Sequence, residues 1–457
     1  MNWDRLSPSA LGKMQDRLVA EQVRHVVGPF SPYWKQQFGL LGREPGSVDG
    51  VAALALVPAV GERDVSPTGD PAGMAALVLQ ATEGGFALHA DGPTVRRALR
   101  RRLTDRAGYR ALVDQDTRPT SFVWSGLGFR YPLASTRGDL DAVARAGARL
   151  WQVLGLTADD ALLAATPAAT TPDHVALQYA ALATGTPALF PGDAPSDVAA
   201  AARLAPPTVL AVPAAGAVDV IGRLADSGAL DRLRTVLLVG APSPAERAAA
   251  EASVAGDVAV LAVHAPSGAR LLWGECRESG ADGGLHTYPD LDVVQLADPE
   301  TGEPAGEGGE VVLTQLGLRG SAMLRWRTGD LTDQPVDRSQ CRGCGRTVPR
   351  LHAVRRGALV LHSDDGRALD LRALAGALAG RPEVADWRVV VGPRHRDGRG
   401  QVVVHLVTEG DAGEVAVAAA GDVRAVAGLL PTQLVAAADG LADVSGEPVT
   451  RRILNRS

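Results

Sequence analysis

The sequence predicts an α/β protein in two parts, a large N-terminal domain with a parallel sheet and a distorted β region, and a small α+β C-terminal domain. Three observations carry this expectation. Between Asp139 and about Ala265, short apolar runs alternate with helix-like segments. After Gly268 the strands succeed one another through Gly- and Pro-containing turns, and from about Gly357 a fresh series of strands and helices begins. Short buried strands separated by helices imply a parallel sheet covered on both faces. The last stretch, roughly a hundred residues, has the length of an independent domain.

The elements follow in order. Pro8 to Val27 reads as a helix leading to Ser31-Pro-Tyr-Trp-Lys-Gln-Gln-Phe38, and Val51 to Ala90 holds apolar runs broken by turns. Val95 to Arg102 reads as an exposed arginine-rich helix face, whose plainest meaning is solvated charge. Helix-like Asp139–Leu154 precedes the strand Leu162–Ala165, and helix-like His174–Ala183 precedes Pro187–Phe190. Val209–Val212 and Thr235–Val239 continue the sheet, and Asp292–Leu296 with Glu310–Thr314 frame a turn. In the last part come the strand Leu359–His362, the helix Leu371–Ala379 and the strands Trp387–Val391 and Gln401–His405. The helix Glu414–Leu429 and the strand Gln433–Ala436 complete it. The boundary falls near Arg355-Arg356, giving domains 1–354 and 357–457.

Composition excludes several classes. A net charge of -6 offers no field that would gather nucleic acid or an anionic membrane. Met1 to Phe30 carries charges throughout without the apolar core of a signal peptide, and no later window is long enough to span a bilayer, so the expected location is cytoplasmic. Of 46 basic residues only Lys13 and Lys35 are lysine. Lysine chemistry is thereby absent from everything after Lys35.

The three cysteines are Cys276, Cys341 and Cys344. An odd number in a long chain argues for metal ligands or free thiols over disulfides. Cys341-x2-Cys344 is half of a tetrahedral zinc site, Cys276 is the remaining thiol, and His286 follows it by ten residues. Three thiolates and an imidazole make a closed structural zinc set spanning 276–344, with three free thiols and a surface histidine as the alternative.

Four segments, in order, are Asp298-Pro-Glu-Thr-Gly-Glu-Pro304, Gly309-Glu-Val-Val-Leu-Thr314, Leu324-Arg-Trp-Arg-Thr-Gly-Asp-Leu331 and Cys341 to Pro349. Together the chain resembles the phenylacetate-CoA ligase branch of the adenylate-forming superfamily, and the likeness extends upstream through Ser31 to Phe38, Ser135 to Leu140 and Val239 to Pro242. The resemblance implies an AMP-binding-like domain with a C-terminal lid, ATP/AMP and CoA as cofactors, and an acid or acyl thioester as substrate. It implies that Asp330 binds the ribose diol, a task suited to a carboxylate that accepts two hydrogen bonds. Arg327 beside it, and Gly126 and Gly128 in the stretch aligned with the phosphate loop, are implied nucleotide contacts. A comparable Cys/His cluster in relatives adds support for His286 in the zinc set.

The departures from the family are specific. Val123-Trp-Ser-Gly126-Leu-Gly128-Phe-Arg130 keeps two glycines but has bulky residues where phosphate-binding hydroxyls belong. Val263-His264-Ala-Pro-Ser-Gly268 has no acid at the magnesium position, and the lid hinge reads Arg355-Arg356-Gly357. The family's lid lysine has no counterpart, because Ser445 to Arg452 offers only Arg451 and Arg452, and a planar guanidinium is not a compact ammonium. His174 falls where relatives line the acyl pocket, and His264 replaces an aromatic near adenine; these two with Arg451 and Arg452 are the candidate catalytic residues.

Three readings remain. The leading one is a divergent protein that handles a carboxylate, acyl adenylate or thioester of CoA or a carrier protein, with ordinary adenylation impaired or lost. The second is a conventional acyl- or aryl-CoA ligase or nucleotidyl transferase that uses arginine for lysine. The third is a non-catalytic ligand-binding or scaffold partner.

Overall fold

The structure is a computed structural model that describes residues 4–80, 92–126, 130–167, 171–299, 301–357, 360–362, 368–370, 378, 381–391, 402–409, 411–427, 433–437 and 453–455. The chain divides into two compact units, Met1–Val354 and Arg355–Ser457. Among the described residues no helix is long and apolar enough to cross a membrane.

In the first unit, β1 (Pro119–Ser125) and β2 (Tyr131–Thr136) form an antiparallel hairpin. A parallel sheet follows, made of β3 (Leu162–Ala164), β4 (Ala188–Leu189), β5 (Val209–Pro213), β6 (Thr235–Val239) and β7 (Ala259–His264). Its order is β4-β3-β5-β6-β7, and beyond β7 it turns antiparallel through β8 (Trp273–Glu275) and β9 (Leu285–His286). A second sheet is antiparallel, with β10 (Asp292–Ala297) flanked by β11 (Pro304–Ala305) and β12 (Gly309–Gln315), and β12 paired with β13 (Trp326–Thr332). The short β14 (Arg350–Leu351) returns to β9. These are the alternating region and the turn-linked region anticipated from sequence, meeting at β7.

The helix Arg137–Leu154 shows why the parallel sheet is covered. Thr136 and Asp139 form a reciprocal capping box, Gly155 at φ 68 terminates the helix, and Ala142, Val143, Ala146, Leu150, Trp151 and Leu154 form its buried stripe. Its Gly147 permits a close crossing: a Cβ there would lie 2.5 Å from the Cα of Ala180 on the helix Pro172–Thr184. Any larger residue would push the two helices apart. The N-terminal helix runs Pro8–Gln22 and continues as a π turn over Val23–Val27, delivering Trp34, whose indole donates to the Ala322 carbonyl at 3.1 Å.

The second unit pairs Val384–Val391 antiparallel with Val402–Thr408, which lies parallel to Gln433–Ala437 across the helix Ala412–Ala427. Val384–Val391 also takes Ile453–Asn455 in parallel. Buried Val415, Ala419 and Val423 recur every fourth residue on the helix, as an amphipathic face requires. The helix expected over Leu371–Ala379 lies outside the described residues apart from Leu378.

A buried guanidinium ties the first unit together. Arg270 donates to the Ala134 carbonyl at 2.7 Å, Asp139 Oδ2 at 3.1 Å, Gln315 Oε1 at 2.9 Å and the Ser321 carbonyl at 2.8 Å. Asp139 also accepts from the amides of Thr136, Arg319 and Gly320. Both side chains are almost wholly buried, at 2% and 1% exposure, so removing one leaves the other as an uncompensated interior charge. Arg270→Leu should therefore destabilise the protein by about 3–5 kcal/mol in a denaturant titration. A loss below about 1 kcal/mol would show that the network is not needed.

Asp292, at the start of β10, is a second buried acid. Burial pushes its pKa up to about 7, although Trp273 Nε1 and the Tyr288 amide donate to it. An acid whose folded pKa is raised folds best when protonated, so its contribution is complete below the unfolded value of about 4 and is lost as pH climbs through 7. The Tm of Asp292→Asn minus that of the parent should rise between about pH 4 and pH 7, as measured by calorimetry. A difference that stays flat with pH contradicts this.

Candidate functional site

His264 is the last residue of β7, at the carboxyl edge of the parallel strands where open α/β sheets present their ligand-handling residues. Asp330 lies on β13 of the other sheet. The structure brings these two sequence candidates together: His264 Nε2 and Asp330 Oδ2 are 2.8 Å apart, with side chains 1% and 0% exposed. One carboxylate oxygen of Asp330 is thus engaged by an imidazole. His264 Nδ1 is buried with no hydrogen-bond partner among the described residues.

Arg327 is engaged as well. Its Nε donates to Glu310 Oε2 at 2.7 Å and its Nη2 to the Pro299 carbonyl, while Glu310 Oε1 accepts from the Gly329 amide at 2.9 Å. Gly329, at φ 70, takes the left-handed conformation that glycine tolerates. These bonds fix the irregular stretch of β13 that presents Asp330. Burial raises the Glu310 carboxyl while Arg327 pulls it back down, leaving it above its ordinary range.

Around Gly268 lies a polar cluster that sequence reading did not find. Ser267 Oγ donates to Glu62 Oε1 at 3.2 Å, and the Gly268 amide donates to Ser125 Oγ at 3.1 Å. Burial, then the Glu62 charge, holds the Tyr131 phenol far above its usual range, and the hydroxyls of Ser267 and Ser125 act on it in the opposite sense. Gly268 (φ 79) has no room for a side chain, since a Cβ would fall 2.4 Å from Trp326 Nε1. Five residues from four separate segments make this cluster, so no local motif announces it. Gly126 stands beside it at φ 120, whereas Gly128 lies outside the described residues, as do Arg451 and Arg452.

His174 sits in the first turn of its helix, where its amide donates to Thr171 Oγ1 at 3.4 Å. Its ring meets Phe190 with centroids 5.0 Å apart, its Nδ1 is buried without a partner among the described residues, and burial lowers its pKa. The surroundings favour a neutral imidazole against an aromatic wall.

The four sulfur and nitrogen candidates also converge. Ligand atoms of Cys276, His286, Cys341 and Cys344 all lie within 4.8 Å of one another. Cys276 and Cys341 sulfurs are 3.8 Å apart, and Cys344 Sγ is 3.3 Å from His286 Nε2. His286 Nδ1 lies 3.1 Å from the Gly284 carbonyl, which calls for the proton on Nδ1 and leaves the Nε2 lone pair facing the thiols. The Cys276 thiol donates to Cys344 and holds it far below the ordinary thiol range, while Cys276 itself is held far above it. Burial raises Cys341, but the amides of Cys344 and Gly343 and the Ser279 hydroxyl outweigh it and bring the thiol below its ordinary range. The donor set of three sulfurs and one imidazole, all within reach of one point, fits a tetrahedral zinc ion.

The knuckle is braced on several sides. Gly283 leaves no room for a side chain without a shift, because a Cβ would lie 2.8 Å from Ser279 Cβ and 3.2 Å from Cys276 Sγ. Arg350 Nη1 donates to the Gly283 carbonyl at 2.9 Å and Nη2 to Asp337 at 2.6 Å. Arg346 and Thr347 grip the N-terminal segment through Asp4 and Leu6, and Val153 packs against the cysteines. The cluster thus joins the chain start, the end of the long helix and the β9–β14 pair.

No protein-family model matches the chain, and no curated protein matches it in sequence. Solved structures do match in fold. A structure of 2-hydroxyisobutyryl-CoA ligase in the postadenylation state with 2-HIB-AMP superposes with a TM-score of 0.67 at 18% identity, over 99% of this chain and 91% of that one. The same ligase with R3-HIB-AMP gives 0.66 at 17% identity over 95% and 88%. With 2-HIB-AMP and CoA in the thioesterification state it gives 0.62 at 18% over 99% and 91%. At this level of identity the likeness establishes architecture: the chain has the fold of an adenylate-forming CoA ligase, with the small C-terminal domain included.

Proposed function

We propose that this protein handles a carboxylate as an acyl adenylate or acyl thioester, of CoA or a carrier protein, and no longer makes the adenylate by ordinary ATP-dependent chemistry. The single observation that carries this reading is the 2.8 Å contact between His264 and Asp330. Asp330 falls where the phenylacetate-CoA ligase branch keeps its ribose-binding acid, and a diol would have to compete with a neighbour whose imidazole is already seated. Arg327 is likewise committed to Glu310 and the Pro299 carbonyl. The chain has no lysine after Lys35 and no acid from Val263 to Gly268, so two supports for a developing phosphoryl charge are absent together.

In this reading His174 and Phe190 shape an acyl wall, and the hydroxyls of Ser125, Tyr131 and Ser267 near Glu62 supply the polar groups of the site. The 357–457 part serves as the lid domain, the work is cytoplasmic, and Gly126 serves as a turn residue. Cys276, His286, Cys341 and Cys344 hold a structural zinc ion, which as a closed set would brace the fold without touching substrate.

Adenylation is tested by exchange of radiolabelled pyrophosphate into ATP across a panel of aliphatic and aromatic acids. No exchange is expected, together with transfer of an acyl group from a CoA or pantetheine thioester to a thiol or amine. Exchange with any acid would restore the conventional ligase reading with Arg451 or Arg452 in place of lysine. Absence of both activities would leave a ligand-binding protein. Asp330→Ala should leave acyl transfer within about twofold but cost about 1–3 kcal/mol of stability, because His264 loses its partner.

The zinc set makes a separate prediction. Purified protein should carry about one zinc per chain by emission spectroscopy, and a strong chelator should lower Tm by several degrees or more. Metal-free protein whose Tm ignores the chelator would contradict it.

A further inference from the structure

The helix Gly92–Thr104 packs through Ala98, which is 5% exposed and lies against Tyr109 and Val113 of the helix Arg106–Thr117. Arg101 donates to the Gly108 carbonyl, and Arg102 lies 5.9 Å from the Tyr109 ring centroid, so these two arginines serve the helix pair itself. Arg96 and Arg100 do not. Both are exposed, and among the described residues their side chains make no ion pair or hydrogen bond.

The outer face is ordered. Arg96 and Arg100 are one turn apart, and Leu99 and Leu103, also one turn apart, form the adjoining row. Leu99 is 50% exposed and Leu103 88%. From 92 to 118 the chain holds eight arginines and three aspartates, a strongly positive patch on a molecule of net charge -6. Lone exposed leucines are ordinary, but two of them one turn apart beside two guanidiniums that are unpaired among the described residues form a strip that is at once apolar and cationic.

We propose that this strip docks an acidic amphipathic helix of a partner protein, whose carboxylates pair with Arg96 and Arg100 while its apolar residues cover Leu99 and Leu103. Charge selects an anionic occupant, and the order of the rows selects a protein over a membrane. With Ala98 facing inward, the arginine row is the outermost line of the helix and the leucines lie on its flank. A bilayer surface requires the apolar row outermost, whereas a second helix laid alongside meets both rows together. This inference stands independently of the acyl chemistry proposed above.

The test uses the full chain and a fluorescent synthetic peptide in which glutamate and leucine recur at helical spacing. The controls are a scrambled peptide of the same composition and vesicles rich in phosphatidylglycerol. The ordered peptide should bind at least tenfold more tightly than the scrambled one. Arg96→Glu with Arg100→Glu should weaken it at least tenfold, and Leu99→Ser with Leu103→Ser at least threefold, with unchanged Tm showing that both variants fold. Equal binding of the two peptides would reduce the strip to nonspecific charge. Uptake on vesicles without peptide binding, or a self-association abolished by these variants, would assign the face to a membrane or to a second copy and overturn the proposal.

Discussion

Arg270 is the interaction on which the first unit depends. A guanidinium with no access to water requires acceptors on every side, and it finds them in Asp139, Gln315 and the carbonyls of Ala134 and Ser321. Those partners belong to the β1–β2 hairpin, the start of the long helix, β12 and the segment before β13. One side chain therefore fixes how the antiparallel sheet lies on the parallel one. The carboxyl edge of β7 and the middle of β13 take their places within that frame, and with them His264 and Asp330.

The same constraint explains the site. A carboxylate in the interior must be given a donor, and Asp330 receives an imidazole while Glu310 receives Arg327. The resemblance to the phenylacetate-CoA ligase branch implies a ribose-binding acid at this position. Here one of its carboxylate oxygens is taken by His264. The Cys3His cluster belongs to the scaffold as well, since it binds together the chain start, the long helix and the β9–β14 pair.

The architecture was legible because its signals are local. Alternating apolar runs gave the parallel sheet and the long helix before it, and the Cys-x2-Cys spacing with one other cysteine gave the ligand set that the fold gathers. What escaped was long-range. Arg270 and Asp139 are 131 residues apart, Glu62 and Ser267 are 205 apart, and His264 and Asp330 are 66 apart. No spacing rule pairs such positions, although His264 and Asp330 were singled out separately. The free strip of Leu99 and Leu103 was also missed, because an arginine-rich helix face reads in sequence as solvated charge until its buried side is known.

The central claim is that the Asp330 carboxylate no longer serves a ribose. Equilibrium dialysis of AMP against 2′,3′-dideoxy-AMP addresses this directly, because the two nucleotides differ only in the diol. The account predicts that the two bind equally or that neither binds. Loss of tenfold or more in affinity on removing the diol would show that the site still holds a ribose, and would contradict it.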